Sequence, residues 1–149
     1  MLKNNKGFTL TELIVTIAVS GIFFALIGSI IYSLLSAYKN TENAAAREEE
    51  IKAAWNLIEM TVEDANRSGE KVSVVRGETS INISFGTSEA NLIYEHQSSL
   101  SRNGKVLTLK FIRNFDVFII NDNTLEFVLL DDLEHSQSRI FNLYGGVEA

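Results

Sequence analysis

The sequence predicts an α+β fold, a long N-terminal helix packed on a C-terminal antiparallel β-sheet, and three observations carry that reading. No charged residue falls between Glu12 and Lys39. From Glu42 onward, apolar residues recur at three-to-four spacing. Beyond Ser68-Gly69 the chain breaks into short runs rich in Val, Ile, Phe and Thr, separated by turn residues.

The helical signal runs from Phe8 to about Ser68 and changes character on the way. Its first half is apolar almost all round and long enough to cross a bilayer, which takes about 20 residues. A cleaved secretory signal would need about 7 to 15 apolar residues and a small-x-small site. The stretch from Leu13 to Leu35 is too long for that, and Ser36-Ala37-Tyr38 is a poor site. In the second half, Ile51, Trp55, Ile58, Val62 and Ala65 make an apolar stripe opposite Glu48, Glu49, Lys52, Glu59 and Glu63. Glu48 to Lys52 and Glu63 to Arg67 are spaced as helical ion pairs in the favourable orientation. Ser68-Gly69 is the expected stop.

Seven runs then read as strands: Lys71 to Arg76, Ser80 to Phe85, Asn91 to Glu95, Lys105 to Phe111, Asp116 to Ile120, Thr124 to Leu130 and Arg139 to Tyr144. Leu107, Leu109 and Phe111, and again Leu125, Phe127 and Leu129, alternate with Thr108, Lys110, Thr124 and Glu126. That alternation describes a sheet with one wet face. Asn121-Asp122-Asn123 is a hairpin-turn signal, since Asn and Asp tolerate positive φ. The chain therefore divides into 8–36, the membrane-spanning helix; 37–69, its amphipathic continuation; and 70–149, the sheet domain, with residues 1–7 ahead of them.

Glu12 is the residue in this plan that physics does not excuse. A carboxylate deep in a bilayer costs roughly 2.5 to 3.5 kcal/mol on insertion scales, so it calls for a cationic partner. The residues before it are Lys3 and Lys6, a short basic leader, then Gly7, small enough for a peptidase to approach, then Phe8. With this run the chain resembles the type IV pilin and pseudopilin superfamily. The resemblance implies that residues 1–7 are a prepilin leader peptide, cleaved between Gly7 and Phe8 by a prepilin peptidase, and that Phe8 is N-methylated. Such a cut creates an amine at the membrane surface, and Glu12 of one subunit can pair with the Phe8 amine of its neighbour. A buried pair of this kind fixes register more than it stabilises. Ala18, Gly21, Ala25 and Gly28 share one helix face, where small residues allow close helix approach, so Glu12 and these four are the expected assembly residues.

Further stretches carry finer resemblances. Ile58 to Arg67, and Tyr94 with Leu100 and Arg102, look like parts of J-type minor pseudopilins of type II secretion. Ile140 to Gly146 looks like the end of the F-type minor pseudopilin of Gram-positive competence systems. The chain has no proline, whereas major pilins often carry one where Ser29 stands; Gly28-Ser29 is the alternative bending point. It also has no cysteine, unlike many Gram-negative pilins. The tip subunit of secretion pseudopili typically lacks the glutamate found here as Glu12. A minor subunit is thus the expectation.

The remaining chemistry-bearing residues form no convincing site. Absence of cysteine excludes disulfides, thiolate metal sites and thiol nucleophiles together. Net charge is −6, and losing Lys3 and Lys6 takes the side-chain total to −8, a poor basis for nucleic-acid binding. His96 and His135 have no ligand at metal spacing, and Asp131, Asp132 and Glu134 lack the glycine-centred loop of a calcium site. Gly145-Gly146 precedes no helix, so it is no phosphate loop. Arg102, Lys105, Lys110 and Arg113 are the main basic cluster and are expected on a solvated sheet face. The expected product is a non-enzymatic structural subunit without cofactor or metal. Its partners would be other pilin or pseudopilin subunits, a prepilin peptidase, an assembly-platform membrane protein and the cytoplasmic membrane. From there it would pass into a pilus or pseudopilus at the cell surface. The alternative is a single-pass anchored binding module that does not polymerise.

Overall fold

The structure, a computed structural model, describes residues 9–85 and 91–148, except the Phe85 side chain. The chain divides into two compact units, residues 1–44 and 45–149. One helix, α1 (Leu10–Ser68), supplies the described part of the first and enters the second. In the first unit the large apolar side chains from Leu10 to Tyr38 all face outward, and even Ile27, the most covered, is 37% exposed. An 18-residue window of α1 reaches a mean hydropathy of 2.5 with none of it buried, which by length and composition is enough to cross a membrane.

In the second unit α1 buries Ile51, Ala54, Trp55, Ile58, Thr61, Val62 and Ala65, which includes all five residues of the predicted stripe. The helix ends as the sequence indicates: Gly69 takes a φ of +67° and its N–H donates to Ala65 O at 3.0 Å. Of the two predicted ion pairs, Lys52 to Glu48 forms at 3.3 Å, but Arg67 turns to Asp64 at 3.7 Å rather than to Glu63. Asp64 also holds Arg102 from the sheet, so it is the carboxylate already fixed nearby.

Nine strands follow: β1 (Val72–Arg76), β2 (Ser80–Phe85), β3 (Asn91–Glu95), β4 (Ser99–Arg102), β5 (Lys105–Thr108), β6 (Ile112–Asn121), β7 (Thr124–Asp131), β8 (Ser136–Asn142) and β9 (Val147–Glu148). They make two sheets instead of one. The first has the order β5-β4-β3-β2-β1-β9 and the second β6-β7-β8. All pairs are antiparallel except the short β1–β9 contact. One core joins them, with Ile58, Leu92, Leu100, Phe115, Leu125 and Phe127 each 1–2% exposed or less. A chain of rings crosses it, from Tyr94 to Phe115 at 5.2 Å, Phe115 to Phe127 at 5.9 Å and Phe127 to Phe141 at 5.5 Å.

The split into two sheets explains the misplaced boundaries. The run expected as one strand from Lys105 to Phe111 stops at Thr108, because the N–H groups of Lys110, Phe111 and Ile112 turn to the Glu50 carboxylate at 2.8–3.0 Å. Leu109 and Phe111 are buried, but in a crossover rather than in a strand. The strand expected from Arg139, β8, begins three residues earlier, at Ser136, since Ser136 to Ser138 pair with β7 despite their polarity. Leu143 leaves the ladder and donates to Asn123 O at 2.7 Å. The Asn121-Asp122-Asn123 hairpin forms, although neither Asp122 nor Asn123 takes positive φ. Asn121 instead accepts the Asn123 N–H on its own side chain at 2.9 Å, and a register shift between Ile119 and Asn121 absorbs the twist.

Candidate functional site

The structure shows how the first described turn holds Glu12. Thr9 stands immediately before α1; its N–H and hydroxyl donate to Glu12 Oε2 at 3.3 and 3.1 Å, and the Glu12 N–H donates to Thr9 Oγ1 at 3.3 Å. This is a reciprocal capping box, in which residue and cap satisfy helix-end donors for each other. The Thr9-Leu10-Thr11-Glu12 spacing is its sequence signature, and that signal was available without a structure. Glu12 is exposed, so the cap presents the carboxylate outward at the positive end of the helix. Gly7 and Phe8 lie outside the described residues.

Ala18, Gly21, Ala25 and Gly28 all sit in exposed helix. A Cβ added to Gly21 or Gly28 meets nothing within 4 Å, so nothing in the chain's own packing requires glycine there. The smallness of these residues therefore has no use within one molecule. Thr16, on the turn after Glu12, returns its hydroxyl to Glu12 O at 2.7 Å, which satisfies a polar group otherwise costly in an apolar setting.

The second unit carries several polar locks that the sequence did not disclose. Besides Glu50, Asn66 donates to Asn142 O and accepts from the Tyr144 N–H, both at 2.9 Å, acting as a side-chain rung for the end of β8. Trp55 Nε1 donates to Gln137 Oε1 at 3.1 Å, with Arg139 stacked 4.7 Å from the indole and paired to Glu59. The basic cluster is not one solvated face. The Arg102 side chain is 11% exposed against Asp64, Lys110 lies over Phe111, and Arg113 reaches Glu134 at 3.9 Å.

The acidic corner near His135 is a structural knot. Asp131, 4% exposed, accepts the backbone N–H groups of His135 and Leu133 at 2.8 and 2.9 Å, and His135 Nδ1 lies 3.2 Å from its other oxygen. His135 thus has an acidic neighbour four residues away, though in a turn and not on a helix. Among the described residues no group of three or more His, Cys, Asp or Glu is arranged to hold a metal ion. Asp132 forms a two-pronged pair with Arg47 at 2.6 and 3.0 Å.

Both carboxyls are held below the ordinary value of 3.8. For Asp131, burial pushes the pKa up, but the hydrogen bonds from His135 and Leu133 outweigh it; for Asp132, the Arg47 hydrogen bond is the main cause of the lowering. Folded, these groups bind protons less readily than unfolded, so their stabilisation is complete above about pH 4 and is lost as pH falls through the lowered native values. The urea midpoint of the detergent-solubilised chain is therefore expected to fall as pH drops below about 4. Asp132→Asn should reduce that fall, and an unchanged slope would refute the assignment.

Elsewhere the described residues form several shallow clefts. One of about 170 Å³ is lined by Arg76, Glu78, Ser80, Tyr94, His96 and Asp116; Tyr94 there shares a 3.4 Å contact with His96 Nδ1.

In the comparison with known families, the prokaryotic N-terminal methylation motif matches residues 2–28. That stretch contains Gly7, Phe8, Glu12 and the whole small-residue face. No curated protein and no solved structure matches the chain.

Proposed function

We infer that the chain, whose methylation motif supports a place in the type IV pilin and pseudopilin superfamily, is a minor structural subunit of a pilus or pseudopilus. The observation that carries this reading is the coincidence of the motif at residues 2–28 with a capped, wholly exposed apolar helix. The motif implies processing by a prepilin peptidase and assembly with other pilin subunits. In the proposed sequence of events the precursor sits in the cytoplasmic membrane through α1, is cut after Gly7, and is methylated on Phe8. Glu12 then neutralises the new amine of an adjoining subunit. Ala18, Gly21, Ala25 and Gly28 let the helices approach in the filament core, where each close contact replaces lipid with packed side chains. The role is structural and not catalytic.

The missing proline and the resemblances at Ile58 to Arg67 and Ile140 to Gly146 support a minor subunit of the secretion or competence kind. Mass spectrometry of the mature N-terminus tests the whole reading. A methylated Phe8 is the expected first residue, and an intact Met1 in the membrane fraction would point to an anchored binding module instead.

A further inference from the structure

The second sheet turns a mixed surface to solvent on the face opposite α1, where apolar side chains stand among Asn114, Asp116, Ser136 and Ser138. Its inner rows, Phe115-Leu129-Gln137 and Val117-Phe127-Arg139, are in cross-strand register and face the core and Trp55. On the outer face the row Phe118-Glu126-Ile140 leaves Phe118 46% and Ile140 62% exposed, with Val128 and Leu130 beyond Glu126 on the same side of β7. The run Val128-Leu129-Leu130 makes the central strand apolar on both faces, the pattern of a strand covered on both sides.

Glu126 stands in the middle of this surface, and among the described residues no cation pairs with it. The neighbouring arginines are committed elsewhere. Arg76 holds Asp116 at 3.1 Å and the Val117 carbonyl while lying over Phe118. Arg139 holds Glu59 and Trp55 on the opposite face. A part-buried carboxylate flanked by exposed Phe and Ile is complementary to a cation set among apolar groups, the arrangement of an interface centre.

We propose that this face docks another subunit of the same filament, which inserts a Lys or Arg side chain between Phe118 and Ile140 to meet Glu126. The proposal rests on the filament-subunit reading above. A two-fold contact with a second copy of this chain fits poorly, because it sets Glu126 against its own image between two bodies whose side-chain charges each total −8 once the leader is lost. A lipid surface fits poorly too, since the contact would bury an uncompensated carboxylate.

The test uses the full chain in its native cells, with a photo-crosslinking residue in place of Ile140 and, as control, in place of Val106 on the other sheet. The Ile140 position is expected to give an adduct with a protein whose precursor carries a prepilin leader, and the Val106 position is expected not to give it. Glu126→Arg should lower the adduct about ten-fold, and Glu126→Gln less. Changing the crosslinked partner's Lys or Arg to Glu should restore the adduct to the Glu126→Arg chain, which a simple folding defect would not allow. An adduct with a second copy, an adduct indifferent to Glu126→Arg, or no adduct would overturn the proposal. The N-terminus of the same material tells the two failures apart. A methylated Phe8 without the adduct sinks the docking face alone, whereas an intact Met1 sinks the filament reading with it.

Discussion

Gly145→Ala is expected to cost about 3 kcal/mol of stability, at the upper end for forced overpacking. A Cβ built there would lie 2.5 Å from the Glu70 carbonyl carbon and 2.6 Å from Gly69 O. Those are backbone atoms at the end of α1, so no rotamer change relieves the clash. The tail also has nowhere to retreat. Val72 donates to Gly146 O at 3.0 Å, Val147 to Asp122 O at 2.6 Å and Leu143 to Asn123 O at 2.7 Å. The strap thereby ties the β6–β7 turn to the first strand and the helix end. Urea denaturation of the detergent-solubilised chain measures the loss. Gly104→Ala, at a positive φ but in open space, should cost only about 1 kcal/mol, and equal losses at the two sites would refute the clash.

Glu50→Ala is the second large effect, about 3 kcal/mol by the same measurement. One carboxylate there accepts three successive backbone N–H groups, from Lys110 at 3.0 Å, Phe111 at 2.8 Å and Ile112 at 2.9 Å. Three N–H groups converging on one anion form a small nest, and the alanine variant leaves them unpaired beside buried Phe111 and Ile112. Glu50→Gln keeps an acceptor oxygen at the same place and gives up only the charge, so its loss should be about 1 kcal/mol. Equal losses for Gln and Ala would show that the charge, and not the geometry of the acceptor, governs the crossover.

Much of this architecture was legible because it rests on periodicity. The stripe Ile51, Trp55, Ile58, Val62 and Ala65 reads directly from three-to-four spacing, and β2 and β3 begin and end where expected. What escaped was set by tertiary partners. Nothing local says that Lys110 to Ile112 will bond to a glutamate sixty residues earlier, so one long strand was expected where a crossover lies. The β4–β5 hairpin is different. Asn103-Gly104 is the strongest short hairpin signal there is, with φ of 48° and 79° at the two residues, and it was legible but passed over among the Ser residues of β4. At the N-terminus, Glu12 stood out through its charge, whereas Thr9, which holds it, needed the capping pattern to be noticed.

The capping box also sharpens the question at the heart of the account. Glu12→Ala removes the charge together with the acceptor for the Thr9 N–H and hydroxyl, leaving only the Thr9 Oγ1 half of the box, whereas Glu12→Gln keeps an acceptor for Thr9, as glutamine serves in such boxes, and removes only the charge. The decisive measurement is the fraction of Glu12→Gln chain recovered in sheared filaments, with membrane insertion and Phe8 methylation followed in the same cells. If the carboxylate neutralises a neighbour's amine, insertion persists while incorporation into filaments is lost. Incorporation at the wild-type level would contradict the account.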